Sequence, residues 1–139
     1  MSAASPLPPE RAWAKLTDWP RHGRYVPLTR MRVDTPGPTG VGTVFVGRTA
    51  VGPLGFDDPM EIVEWHPPGT GGAGHCRIEK RGRVVLGWAE LSVVPEGGGS
   101  RATWREDATP AHLPRPLHPL AALAAKLLFG RVLRRLLAD

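Results

Sequence analysis

The sequence predicts an α+β fold: a curved antiparallel sheet of about six strands wrapped around a long C-terminal helix, with two short helices near the N-terminus. Three observations carry this. Between residues 28 and 107 several segments alternate apolar and polar side chains with the period of two of β-strands, and glycine- and proline-rich turns separate them. The segment Leu120 to Ala138 has the helical pattern, apolar nearly all round in its first half and amphipathic in its second. A length of 139 residues is enough for one buried core and too short for two, so 1–139 reads as a single domain.

Met1 to Pro8 is small and proline-rich, hence irregular or at most a short edge strand. Pro9-Glu10 opens a helix with a proline and an acid in the first turn and with Ala12, Trp13 and Leu16 on one face. Thr17 and Asp18 offer a cap for a second brief helix at Pro20, and Trp19, which precedes the proline, is expected to be non-helical. From Leu28 to Asp34, Thr29, Met31 and Val33 oppose Leu28, Arg30, Arg32 and Asp34. In Gly42 to Val51 one face holds Phe45, Gly47, Thr49 and Val51 and the other Val44, Val46, Arg48 and Ala50; both are partly apolar, so alternation alone does not choose the inner face.

Gly52 to Met60 reads as a shaped loop in which Asp57 and Asp58 lie beside Phe56 and Met60. It is either a pocket rim or a solvated turn whose aspartates bond their own backbone. A strand from Met60 ends at Pro67-Pro68, and Gly69 to Gly74 is a hairpin loop. His75 to Lys80 sets Cys76 and Ile78 against His75, Arg77 and Glu79. After the turn Lys80-Arg81-Gly82-Arg83, the longest strand carries Val85, Gly87, Ala89, Leu91 and Val93 on one face. The small residues Gly87 and Ala89 either leave cavity space or mark a bend where a helix packs closely. Glu96 to Ser100 is a loop, Arg101 to Asp107 places Ala102, Trp104 and Glu106 on one face, and a proline-punctuated stretch leads into the last helix.

Composition removes several function classes. There are 18 basic and 13 acidic residues, and the excess is conspicuous at Lys126, Arg131, Arg134 and Arg135; elsewhere the charges are mixed and no base-reading motif is present, so no nucleic-acid partner is expected. The last helix is expected to pack as a core element rather than on a membrane. Cys76 is the lone cysteine, which excludes an internal disulfide and favours a buried, inert thiol. The five histidines lack the spacing of a zinc site, and neither metal nor cofactor is indicated. His22, at the helix corner, reads as a surface residue. The first ten residues have neither the basic start nor the apolar run of a signal peptide, which points to the cytoplasm.

The run Glu10-Arg11-Ala12-Trp13 to Thr17-Asp18-Trp19, the glycine-rich strand before residue 52, the Trp65-His66-Pro67-Pro68 strand end and the final amphipathic helix resemble the START-like helix-grip (SRPBCC) superfamily. Within it the chain is similar to the polyketide cyclase or dehydrase-like branch found in actinobacteria. The resemblance covers Pro9 to about Leu137 and is specific for the fold and weak for the reaction. It implies a deep cavity between sheet and last helix. The superfamily usually begins with a full strand, whereas only Met1 to Leu7 precede the first helix here; a short or missing first strand would expose a sheet edge and favour a homodimer.

In such a cavity Trp104 and Glu106 are the leading site residues, because a carboxylate beside an indole on an apolar face is desolvated and its pKa rises. Glu106 is the candidate acid or base. The alternative is a Glu106 that ends its strand in solvent or pairs with Arg105 or Arg48. Tyr25, Phe45, Phe56, Asp58, Met60, Gly87, Ala89, Trp104 and Leu128 are the candidate ligand-binding residues, with Tyr25 supplied by the second helix. The expected partner is a small hydrophobic or aromatic molecule, polyketide- or lipid-like, bound without chemistry or cyclised and dehydrated by acid–base residues.

Overall fold

The alternating segments fold into seven antiparallel strands in a computed structural model that describes residues 1–70 and 72–138; Gly71, inside the expected Gly69–Gly74 loop, lies outside the described residues. In chain order the elements are β1 (Ser2–Ser5), α1 (Pro9–Leu16), α2 (Trp19–His22), β2 (Thr29–Val33), β3 (Val44–Val51), β4 (Leu54–His66), β5 (Gly74–Lys80), β6 (Val85–Glu96), β7 (Gly99–Pro110), a 3-10 turn (Arg115–Leu117) and α3 (His118–Ala138). One sheet holds all strands in the order β1-β7-β6-β5-β4-β3-β2. The seventh strand, beyond the six expected, is β1: four residues suffice to pair Ser2 with Thr103 and Ser5 with Ser100, so the short first strand caps the β7 edge.

The inner face of the curled sheet holds Ile62, Cys76, Ile78, Ala89, Leu91, Val93, Ala102 and Trp104. Two helices close on it. Helix α1 contributes Ala12, Trp13 and Leu16, with Trp13 against Trp65 at 5.1 Å between ring centroids. The last two turns of α3 contribute Val132, Leu133, Leu136 and Leu137. Burying four such aliphatic side chains is worth about 1.5–3 kcal/mol each, which anchors the C-terminal half of α3. Its N-terminal half lacks that anchorage: Leu120, Leu123 and Leu127 face outward.

Four local expectations change. Gly52 to Met60 is no loop, because Val51 pairs with Leu54 and Arg48 with Asp57, leaving Gly52-Pro53 as a two-residue turn. Gly52 has φ +57°, which suits glycine in a tight hairpin. Pro59 is tolerated in β4 because the β4–β5 ladder begins only at Met60 opposite Lys80. Trp19 is helical despite preceding Pro20; the first turn of a helix has no intrahelical use for that N–H, and the indole is stacked 4.3 Å from Phe45. Asp18 precedes α2 without a side-chain cap bond, and Thr17 instead donates its hydroxyl to the Trp13 carbonyl. Finally, α3 begins two residues early, at His118, with Pro119 accommodated in the first turn.

Candidate functional site

Strand alternation decides which side chains enter the space between the sheet and α3. From β3, Phe45, Gly47 and Thr49 point in, which settles the ambiguous phase and sends Arg48 out to bond Asp57 at 3.1 Å. Beta-strand β4 follows suit: Phe56, Asp58 and Met60 turn inward while Asp57 turns outward. Strands β5, β6 and β7 add Ile78 and Lys80, Val85 and Ala89, and Trp104, Glu106 and Ala108. Helix α3 supplies Ala121, Ala125 and Phe129, whose ring stacks on Trp104 at 5.3 Å. The cavity, partly open to solvent, measures about 240 Å³. A more open groove of about 670 Å³ between Trp104–Pro110 of β7 and His118–Lys126 of α3 shares Trp104, Glu106, Ala108, Pro110, Ala121 and Ala125 with it, and so forms its entrance.

The charged groups of this largely apolar chamber, Asp58, Lys80 and Glu106, cluster together. Lys80 Nζ donates to Asp58 Oδ2 at 2.6 Å and lies 3.7 Å from Met60 Sδ. Both partners are largely buried, at 9% and 17% side-chain exposure, so the pair is screened far less than a surface bridge. Asp58 Oδ1 and Glu106 Oε1 are buried without a hydrogen-bond partner. Burial pushes the Glu106 carboxyl above the usual carboxylate range; the Lys80 ammonium pulls it back, and the Asp58 charge pushes it further up. The Trp104 indole N–H tempers the shift from close by, but off the geometry of a hydrogen bond, and is likewise unpartnered. The Trp19 indole N–H, also on the lining, is unpartnered too. Native proteins satisfy most buried polar atoms, so four orphans around one chamber mark a place where a polar ligand atom completes the set.

His22 also lines the chamber, against its reading as a surface residue. Its Nε2 lies 2.7 Å from the Leu16 carbonyl, which fixes the Nε2–H tautomer of the neutral ring. Its centroid is 5.5 Å from Trp19 and 5.6 Å from Trp104, and burial depresses its pKa. The Thr29 and Thr49 hydroxyls, also on the chamber lining, bond each other at 2.8 Å. Cys76, by contrast, is sealed in the core with its pKa pushed up to about 12, an inert thiol. Among the described residues no three His, Cys, Asp or Glu side chains gather as a metal site.

Of the residues singled out from sequence, Phe45, Phe56, Asp58, Met60, Ala89, Trp104 and Glu106 meet in the cavity. Tyr25, Gly87 and Leu128 are not on its wall. Tyr25 follows the end of α2 and packs half-buried against the core. Leu128 sits one position off the Ala121, Ala125, Phe129 stripe. Gly87 has φ +129°, and a Cβ there would collide with the Asp107 carbonyl oxygen, so it marks a bend with close backbone approach rather than vacant space. Glu106 is neither solvated at its strand end nor bonded to an arginine: Arg48 holds Asp57 and Arg105 lies nearest Glu90. Sequence reasoning missed Lys80, which continues the Cys76, Ile78 alternation, and His22, three residues after Trp19 on one helix face.

The family described as polyketide cyclase / dehydrase and lipid transport matches residues 1–139. A search of curated proteins returned no match. Among solved structures the chain is similar to an aromatase/cyclase from a Streptomyces species, with 12% identity, TM-score 0.64 and coverage of 99% of this chain and 89% of that one. Protein TTHA0849 of Thermus thermophilus has 17% identity, TM-score 0.66 and coverage of 99% and 95%. The protein Ara h 8.0201 has 15% identity, TM-score 0.63 and coverage of 100% and 96%. At these identities the likeness establishes the fold.

Proposed function

Since the chain belongs to the polyketide cyclase, dehydrase and lipid transport family, within the START-like SRPBCC superfamily, we propose that it binds a small hydrophobic or aromatic molecule between its sheet and C-terminal helix. The observation that carries the reading is the set of unpartnered buried atoms, Asp58 Oδ1, Glu106 Oε1, Trp104 Nε1 and Trp19 Nε1, on residues lining a largely apolar chamber. A carbonyl or hydroxyl of the ligand would accept from Trp104 or from neutral Glu106, and a hydroxyl would donate to Asp58, while the ligand's apolar body packs against Phe45, Phe56 and Phe129. The cavity volume of about 240 Å³ favours a ring-sized body, with any longer chain extending through the entrance groove.

The cyclase or dehydratase reading gains from one feature, the raised pKa of Glu106 beside the Lys80 ammonium. As a carboxylate Glu106 would remove a proton from the carbon next to a ligand carbonyl. The resulting enolate carbon would attack a second carbonyl of the same chain, and the alkoxide formed would take a proton from Glu106, now neutral; loss of water then completes dehydration. Lys80 supports the enolate electrostatically.

Native mass spectrometry of protein purified from its own host, with extraction of retained small molecules, tests the binding reading. A stoichiometric apolar compound is the expected result. An empty chamber that also fails to bind the apolar fluorophore 1-anilinonaphthalene-8-sulfonate would overturn it. Turnover of an extracted or synthetic poly-β-ketone that disappears in Glu106→Gln, with binding retained, would establish the enzymatic reading.

A further inference from the structure

The large apolar side chains exposed on this protein gather at one end, around the cavity entrance, and we propose that this end docks on an anionic lipid bilayer. Strand register defines the end. Thr29 faces Thr49, Val51 faces Leu54, Met60 faces Lys80 and Val85 faces Pro110, so the start of β2, the β3–β4 turn, the β5–β6 turn and the end of β7 lie together, followed directly by the approach to α3. There Leu28, Val51, Leu54 and Leu86 are 65%, 62%, 77% and 47% exposed, joined by Leu117 and Leu120 at 43% and 65%. The opposite end and its loops show only Val33, Val41 and Val94 in this class. Single exposed leucines are ordinary, whereas six large apolar side chains at one end of the fold form a patch.

The first half of α3 extends the patch. Leu120, Leu123 and Leu127 share the outward stripe of the helix, and Arg131 and Arg134 continue it four and seven residues beyond Leu127.

Charge selects the occupant. Arg83 in the β5–β6 turn, Arg115 before α3, and Lys126, Arg131 and Arg134 on α3 are exposed, and none forms an ion pair among the described residues. Helix α3 contains no acidic residue from His118 to Ala138. Of the carboxylates near the rim, Asp57 is held by Arg48 and Arg32, and Asp107 is exposed. Two copies of this face would oppose like charges, which disfavours self-association. Leucines framed by unpaired arginines instead suit the boundary between acyl chains and phosphate headgroups. No described helix is long and apolar enough to cross a membrane, so the contact is interfacial. Given the binding reading above, docking turns the entrance groove toward the acyl phase, and an apolar ligand passes between bilayer and chamber without crossing water.

Flotation of the full chain with vesicles tests the docking. Vesicles of phosphatidylcholine with added phosphatidylglycerol are expected to carry the protein, vesicles of phosphatidylcholine alone much less, and high salt to release it. Leu54→Ser with Leu120→Ser, and separately Arg83→Glu with Arg115→Glu, should each weaken partitioning about tenfold or more. All four positions are exposed, so thermal melts should be little changed. Failure to float with anionic vesicles overturns the proposal, as does full binding by the leucine variant. A leucine-dependent dimer in sedimentation velocity without vesicle binding would assign the face to a second copy instead. Fluorophore occupancy of the chamber, measured on the same preparations, separates loss of docking from loss of ligand binding.

Discussion

Substituting Gly87 by alanine tests whether backbone approach or free space governs the centre of β6. Gly87 pairs with Ala108 of β7, two residues from the Ala89 to Glu106 pair, and holds φ +129°, a region that side chains other than hydrogen rarely enter. The added methyl would also drive into the Asp107 carbonyl oxygen, a backbone atom that moves only if the β6–β7 ladder opens. Backbone strain of about 1–3 kcal/mol and overpacking of about 1–3 kcal/mol add to a cost near 4 kcal/mol. Against a total stability of about 7–20 kcal/mol for a chain of this length, that is a large fraction. Gly97 in the β6–β7 turn is the control: its φ is +58°, nothing lies within 4 Å of a Cβ there, and its alanine variant should lose only about 1 kcal/mol. Urea unfolding followed by far-UV circular dichroism compares the two. Equal losses for Gly87→Ala and Gly97→Ala would refute the steric argument. If Gly87→Ala were then stable but lost fluorophore binding, the position would belong to the cavity after all.

Three further perturbations address the site. Glu106 holds its proton to higher pH when folded than when unfolded, so its contribution to stability is greatest in acid and falls as pH rises through its elevated folded value; Glu106→Gln should therefore be more stable than the parent at neutral pH, with the gain vanishing in acid. A destabilised Glu106→Gln at neutral pH would sink that account. His22 has the opposite sign: burial holds its folded pKa below the ordinary histidine value of 6.5, so stability is intact above that pH and declines as pH falls below it. The decline should be visible in a Glu106→Gln background, where the opposing carboxylate is absent, and replacing His22 with glutamine should flatten it. Asp58→Asn strands the Lys80 ammonium on an apolar wall and should cost about 2 kcal/mol, less than for a fully sealed pair because both groups keep some exposure. Denaturant midpoints within error of the parent would show that solvent or Glu106 takes over the pairing.

Much of the site was legible because strands expose it by alternation. Ala102, Trp104 and Glu106 share an inner face in β7 as their spacing required, and Ala89, Leu91 and Val93 do so in β6. Where both faces of a strand are partly apolar, alternation has no contrast to report. In β3 the choice between the Phe45 and Val46 faces came from Trp19 stacking on Phe45, a contact between residues 26 positions apart. Asp58 alone of the two neighbouring aspartates was a candidate ligand-binding residue, within a supposed loop; pairing Arg48 with Asp57 across the hairpin turns Asp57 outward and leaves Asp58 to Lys80.

Local chemistry alone therefore determined most of the element types and the helix that closes on the sheet, because period, turn residues and side-chain polarity act over a few positions. It also determined that Glu106 and Trp104 would share a face. Tertiary structure decided what those groups meet. The depressed pKa of His22 and the raised pKa of Glu106 arise from burial by distant segments, and the Lys80–Asp58 pair joins residues 22 positions apart. The anchoring of α3 at one end only was likewise beyond its own pattern. Its N-terminal half turns the small Ala121 and Ala125 inward and Leu120, Leu123 and Leu127 outward, whereas its C-terminal half turns Leu133, Leu136 and Leu137 into the core.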